Sequence, residues 1–250
     1  MKKSTSNNLL KILGIILFVI IWQVLSIFIG EDTFILPSPI TTLRETFKML
    51  SSSYIYKCIA QTMVRMVGGF VVAFILAFIF GLIAGNSQKI EEIFKPTITV
   101  LKSMPTATLV YLFLVLAGAR LTPLFIVVLI SFPILYESVV AGIKAVPAEI
   151  IKASKIDNAN IIKRNLKIKI PLAIPYIMVG VASSFALSLK IEIMAEVITG
   201  YTRLGLGSAI LAAQRSDPTN MVPVFAYSLV AVVIMLIIDF IANKVKDKYS

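Results

Sequence analysis

Residues 152–177 read KASKIDNANIIKRNLKIKIPLAIPYI, and six of the first eighteen are Lys or Arg. Strongly apolar segments flank the stretch on both sides, so concentrated positive charge sits between two runs suited to lipid. The whole chain has 250 residues, 58% of them hydrophobic and 15% charged, with a mean hydropathy of +0.93. Soluble domains are about 45–50% apolar, so this composition indicates an integral membrane protein. The net charge of +11 then reads as Lys and Arg enrichment of cytoplasmic loops, not as a nucleic-acid footprint.

Several chemistries are excluded at once. There is no histidine and a single cysteine, Cys58, which removes the common zinc sites, the His-based catalytic triads and any intramolecular disulfide. No metal site, cofactor site or catalytic centre is expected. The apolar run Leu9–Ile29 is too long for the core of a secretory signal, and no small-residue cleavage site follows it. It reads as a first transmembrane helix.

Spans of sufficient length fall near 9–29, 61–85, 95–117, 121–145, 172–199 and 221–243. The expected fold is therefore all-α, with about six transmembrane helices and both termini on one side. Placing the termini inside puts fifteen Lys and Arg in cytoplasmic segments, seven of them between Lys144 and Lys169. The outer segments then hold seven: Arg44, Lys48, Lys57, Arg65, Arg120, Arg203 and Arg215. That asymmetry orients both termini to the cytoplasm and makes the opening stretch a cytoplasmic loop. The chain divides into 1–60, a first helix with an amphipathic outer segment, 61–243, a core carrying loop 147–170, and a basic tail, 244–250. Residues 200–220 carry Gly200, Gly205 and Gly207 before an apolar stretch too short to span, which reads as a re-entrant or interfacial helix.

Within the loop, Ile150, Ala153 and Ile156 recur at helical spacing. Asp157 and Asn158 then interrupt, and these residue types tolerate the left-handed conformation of a tight turn. A second short helix is expected over 159–167, with Lys163, Arg164 and Lys167 on its polar side, before Pro171 and Pro175 open the next span. Two readings stay open on these residues: a basic loop touching anionic lipid, or an ordered knob docking into a soluble partner.

The arrangement resembles the EAA loop of ABC-importer permeases, a pattern of Glu-Ala-Ala, three residues, Gly, nine residues and Ile-x-Leu-Pro. Lys152, Ala153 and Ser154 occupy the EAA positions, Asn158 the glycine, and Ile168, Ile170 and Pro171 the close. Lys152 reverses the charge of the motif Glu, whereas Asn158 keeps a turn-former. Further stretches, ILPSP at 35–39, LKSMPTATL at 101–109, SFPIL at 131–135, AIPYIMVG at 173–180 and AEVITGYTRLGLGSAI at 195–210, resemble in order the nitrate/sulfonate/taurine-type permeases. The resemblance implies a type I importer fold working as a homodimer in the bacterial inner membrane. It also implies two cytoplasmic ATPase subunits and an extracytoplasmic solute-binding protein. ATPase coupling would then fall to Lys152, Ala153, Ser154, Asp157, Asn158, Ala159, Lys163, Arg164 and Pro171. ATP and magnesium belong to the partners, because this chain has no GxxxxGK[ST] phosphate loop. The solute implied is small: an organic or inorganic anion, or a cofactor precursor.

Ionisable groups inside spans are costly and point to function or to pairing. Ser184, Ser188, Glu192 and Glu196 follow at four-residue intervals and share one helix face. With Lys102 and Pro105 they are the candidates for a translocation path or gate. The competing structural reading pairs Glu192 or Glu196 with Lys190, Lys102, Arg65 or a backbone donor. Gly68, Gly69, Gly81 and Gly85 are read as close-packing positions. An ion-coupled secondary transporter using Glu192, Glu196 and Lys190 is the alternative function. Orientation is directly checkable: cysteines at Ser51 and Ser216 should react with a membrane-impermeant maleimide in intact cells, and one at Asn160 only after permeabilisation. External labelling at Asn160 would invert the topology.

Overall fold

The computed structural model describes the backbone of residues 2–29, 35–156, 161–200 and 204–249, and regular structure there is entirely helical. The first helix, α1 (Lys2–Ile29), leads to α2 (Pro39–Leu50) through the LPSP segment. Ser38 caps α2, its Oγ accepting from the Thr41 amide at 3.2 Å, and Pro39 supplies the pre-set φ of a first helical residue. The same segment anchors α1: Trp22 Nε1 donates to Pro37 O at 3.1 Å and Ser26 Oγ to Leu36 O at 3.0 Å.

Helix α3 (Ser53–Gly85) has 33 residues and is therefore about 50 Å long. It starts earlier than the expected span, so Lys57 is helical and not part of an outer loop, and Arg65, counted among the outer residues, lies well inside the helix.

The expected span 95–117 is not one helix. Helix α4 (Gln88–Ser103) stops before Met104 and Pro105, which are both extended with ψ of 130° and 127°. Pro105 has no amide with which to continue the ladder, and it disfavours helical backbone at Met104. Helix α5 (Thr106–Lys144) follows, but Gly118 within it has φ 72° and ψ 163°. Phe113 and Phe125 meet as tilted rings with centroids 5.7 Å apart across that residue, whereas a straight helix would separate them by about 18 Å. The chain turns back at Gly118, so α5 is two arms, 106–117 and 119–144.

Four helical stretches among the described residues are long and apolar enough to cross a membrane, and Leu13–Ile29 is a shorter apolar run. One of the four is the folded α5, and its first arm completes, with α4, a broken third crossing. The six-span pattern is kept, with one crossing discontinuous.

The loop begins with α6 (Ala148–Ile156). Asp157, Asn158, Ala159 and Asn160 lie outside the described residues. Beyond them α7 (Ile161–Arg164) passes into a π-helical turn, Asn165–Lys169, and then into α8 (Ile170–Thr199). Arg164 and Ile170 are both right-handed helical, so the separate helix expected over 159–167 is instead joined to the transmembrane helix. The wide turn lies where Pro171 cannot donate to the Lys167 carbonyl. The glycine-rich segment leads to α9 (Leu206–Ser216), and α10 (Val222–Tyr249) closes the chain.

Close packing joins α3 to the second arm of α5. Gly69, Ala73, Ala77, Gly81 and Gly85 recur every four residues along α3. A Cβ on Gly81 would lie 2.8 Å from Val139 Cβ, and one on Gly85 would lie 2.8 Å from Ile143 Cβ. Gly68 has nothing within 4 Å of such an atom, so it does not share that role. Gly81→Ala should therefore destabilise the protein by about 1–3 kcal/mol through overpacking. Gly68→Ala should be neutral or stabilising by up to about 1 kcal/mol from helix propensity. Thermal denaturation in detergent checks the pair, and equal effects would remove the close-packing account.

Candidate functional site

Four residues singled out on α8 are enclosed within this one chain. Ser184 is 1% exposed, and Ser188, Glu192 and Glu196 are fully buried. Their partners come from α3, α5 and α9. Glu196 accepts from Thr62 Oγ1 at 3.0 Å on both oxygens and lies 2.9 Å from Arg65 Nη2. Gly207 donates its amide to Glu196 Oε2 at 2.9 Å, and the Leu206 amide donates to Thr62 Oγ1 at 2.9 Å. Arg65 also donates to the Leu204 carbonyl. A carboxylate, a guanidinium and a hydroxyl thus hold the start of α9, where unpaired amides and the helix dipole favour negative charge.

This network explains the glycines. Gly205 precedes α9 with φ 154°, and a Cβ there would lie 2.6 Å from the Glu196 carboxylate. A Cβ on Gly207 would lie 2.3 Å from the Ile193 carbonyl. Neither position has room for a side chain beside the bound carboxylate.

Glu192 differs from Glu196. Its Oε1 lies 3.5 Å from Arg65 Nε, but neither oxygen has a hydrogen bond. One guanidinium therefore faces two carboxylates. Lower on the stripe, Ser131 Oγ and Ser188 Oγ are 2.9 Å apart, and Ser188 donates to the Ser184 carbonyl at 2.7 Å. Of the partners considered for the carboxylates, the structure selects Arg65 and backbone donors. Lys190 is exposed, away from both.

Lys102 belongs to a separate, open group. Its Nζ lies 2.8 Å from both oxygens of Glu137, with each side chain 48% exposed. Lys144 pairs with Glu91 at 2.7 Å. Between α4 and α5, Glu137, Glu91 and Lys144 border a cavity of about 600 Å³, lined also by Glu92, Lys95, Thr99 and Tyr136. Tyr136 is 4% exposed and its hydroxyl has no hydrogen-bond partner. Pro105 is exposed at the α4–α5 break.

In the loop, Lys152, Lys163 and Pro171 are exposed and Arg164 is half-buried, while Ala153 and Ser154 lie on α6. Sequence reasoning missed Thr62, Glu91, Tyr136, and the contact of Lys169 with Asn86. Thr62, Glu91 and Lys169 meet polar partners far along the chain, and Tyr136 meets the Phe94 ring; no local spacing announces such meetings.

A family model described as "Binding-protein-dependent transport system inner membrane component" matches residues 73–250. The riboflavin transport system permease protein RibX of Chloroflexus aurantiacus is 29% identical over 224 residues, covering 89% of this chain and 82% of that protein. The putative aliphatic sulfonates transport permease protein SsuC of Bacillus subtilis is 23% identical, covering 81% of this chain and 73% of that protein. A crystal structure of an amino acid ABC transporter superposes with a TM-score of 0.64 at 18% identity, covering 81% of this chain and 97% of that one. That likeness establishes the fold, and the sequence matches bear out the resemblance read from the motifs.

Glu196 and Glu192 should respond differently to neutralisation. Glu196→Gln removes a hydrogen-bonded member of a buried pair and should cost about 3–5 kcal/mol. Glu192→Gln loses no hydrogen bond and leaves one guanidinium facing one carboxylate, so assembly should persist. Melting temperatures of the purified variants check the ranking, and a larger loss for Glu192→Gln would reverse these roles.

Proposed function

The chain belongs to the inner membrane components of binding-protein-dependent transport systems, and from that premise we propose how its parts divide the work. It is the membrane-spanning permease subunit of an ABC importer, a transport subunit and not an enzyme. A binding protein delivers solute, and separate ATPase subunits supply the energy. The observation that carries this reading is the family match across 178 residues, from the middle of α3 to the end of the chain.

The finer assignments are ours. Two copies of the chain pair in the inner membrane with both termini cytoplasmic, and each offers its 147–170 loop to one of two ATPase subunits. Exposed Lys152, Lys163 and Pro171, half-buried Arg164, and the α6 residues Ala153 and Ser154 form the docking face, together with Asp157, Asn158 and Ala159. ATP binding to the partners biases the dimer between two packings, which alternates access to the path.

Lys102, its partner Glu137 and the cavity that Glu137 borders line the solute's route on the cytoplasmic half. Charged side chains half-open to that space need water, and lipid would not supply it. Ser184, Ser188, Glu192 and Glu196 act instead as internal support, since they are enclosed in one chain. The solute is a small organic or inorganic anion or a cofactor precursor, consistent with relatives whose names specify riboflavin and aliphatic sulfonates. Lys190 points away from both carboxylates, so a proton relay through these three residues has no geometric support.

Docking by shape and binding by charge predict opposite mutational patterns. Asn158→Val should uncouple ATP hydrolysis from the binding protein if Asn158 takes the left-handed turn its sequence favours, where a β-branched residue costs roughly 1–2 kcal/mol. Lys163→Gln with Lys167→Gln should be mild, since exposed ion pairs contribute about 0–1 kcal/mol. Binding-protein-stimulated ATPase of the reconstituted complex distinguishes them. Uncoupling by the double Gln variant alone would turn the loop into a charge-driven contact.

A further inference from the structure

Where the cytoplasmic loop joins α8, the chain buries a cation. Lys169 is the last residue of the π-helical turn and is 7% exposed. Its Nζ donates to Asn86 Oδ1 at 2.6 Å. Asn86 is the C-terminal cap of α3, and its Nδ2 donates to the Leu82 carbonyl at 2.7 Å. That second bond orients the amide with its oxygen toward Lys169. The ammonium also lies at the negative end of the α3 dipole, where a cation is favoured.

The same two helices are joined again at their far ends. Thr62 and Arg65 of α3 bind Glu196 of α8, and Arg65 faces Glu192. Between these points Phe70 meets Phe185 edge to face, with centroids 5.1 Å apart. The antiparallel helices therefore share one register along their length, with a polar clamp at each end. Arg65 and Asn86 stand 21 positions apart, about 30 Å of helix.

We propose that Lys169 and Asn86 are a positioning pair for transport: the inner clamp that makes α3 follow α8 when the loop is displaced. This rests on the reading of the 147–170 loop as the ATPase contact. A π turn holds one more residue than α-helical spacing accommodates, so α8 can change register at that point. Without the clamp, such a slip would dissipate displacement before it reached α3. With it, α3 and α8 carry motion as one body to the outer clamp and to α9, whose first amides that clamp holds. Two-ended fixation gives the loop a mechanical connection to the outer surface through residues that touch neither ATPase nor solute.

The test uses the complete complex with its ATPase subunits in proteoliposomes. A single cysteine replaces Lys57, exposed near the outer end of α3, in a Cys58→Ser background. The measurement is the ratio of maleimide labelling rates with and without ATP and vanadate. Lys169→Met combined with Asn86→Leu removes both members of the Lys169–Asn86 contact at once, and co-purification of the ATPase subunits checks that each variant assembles. Its labelling response should fall at least about fivefold, the lower end of a typical coupling free energy. The singles should match the double, and Lys169→Arg should restore the response. A full response in the double variant, or single losses that multiply, would overturn the clamp while leaving the loop reading intact. If the unaltered complex gives no ATP-dependent change at position 57, the loop reading fails and the clamp with it.

Discussion

One buried carboxylate fixes the relation of three helices. Glu196 on α8 receives Thr62 and Arg65 from α3 and the Gly207 amide from the first turn of α9. Removing a carboxylate and a guanidinium from water costs several kcal/mol for each ion, and their mutual attraction offsets this only when the remaining donors and acceptors are also met. Glu196 meets that condition with donors on both oxygens. The local sequence around it follows: glycine at 205 and 207, a short helix that starts there, and a threonine four-fifths of a turn before the arginine on α3.

The charged groups in the helices divide by surroundings. Arg65, Glu192 and Glu196 are enclosed and serve packing. Lys102 with Glu137, and Lys144 with Glu91, are partly exposed, and Glu137, Lys144 and Glu91 border a cavity that Tyr136 lines with its hydroxyl unsatisfied. Enclosed pairs are costly to disturb and suit a fixed frame. Half-solvated pairs are worth little to stability and can exchange partners, which suits a surface that a solute crosses. A permease needs both, and here they lie on different helices: the frame on α3 and α8, the open pairs on α4 and α5.

Much of the architecture was legible from apolar run length, because a bilayer imposes one strong requirement on every crossing. The four-residue stripe on α8 and the short glycine-opened helix α9 were legible for the same reason: helical spacing is local. The third crossing was not, since Pro105 lies inside a run whose mean apolarity hides the break, whereas the turn at Gly118 falls between the expected spans 95–117 and 121–145. Gly68 looked equivalent to Gly69, yet only one faces α5, and which face packs depends on the neighbour. Arg65 was only one of several possible partners for Glu196, because their separation of more than 130 residues leaves no periodic trace. Lys169 read as one more loop cation until Asn86 was found beside it.

The distance along the chain between Arg65 and its carboxylates has a consequence during synthesis. Glu192 emerges 127 residues after Arg65, which at about 5–20 residues per second is a delay on the order of ten seconds. Through that interval α3 resides in the translocation machinery or the bilayer with its guanidinium uncompensated. Arg65 lies a third of the way along α3 from its outer end, close enough for its long side chain to reach the interfacial water. Arrival of α8 draws the guanidinium inward, and only then do the first amides of α9 acquire acceptors. A truncated nascent chain ending before residue 192 would therefore carry an inserted but unlocked α3.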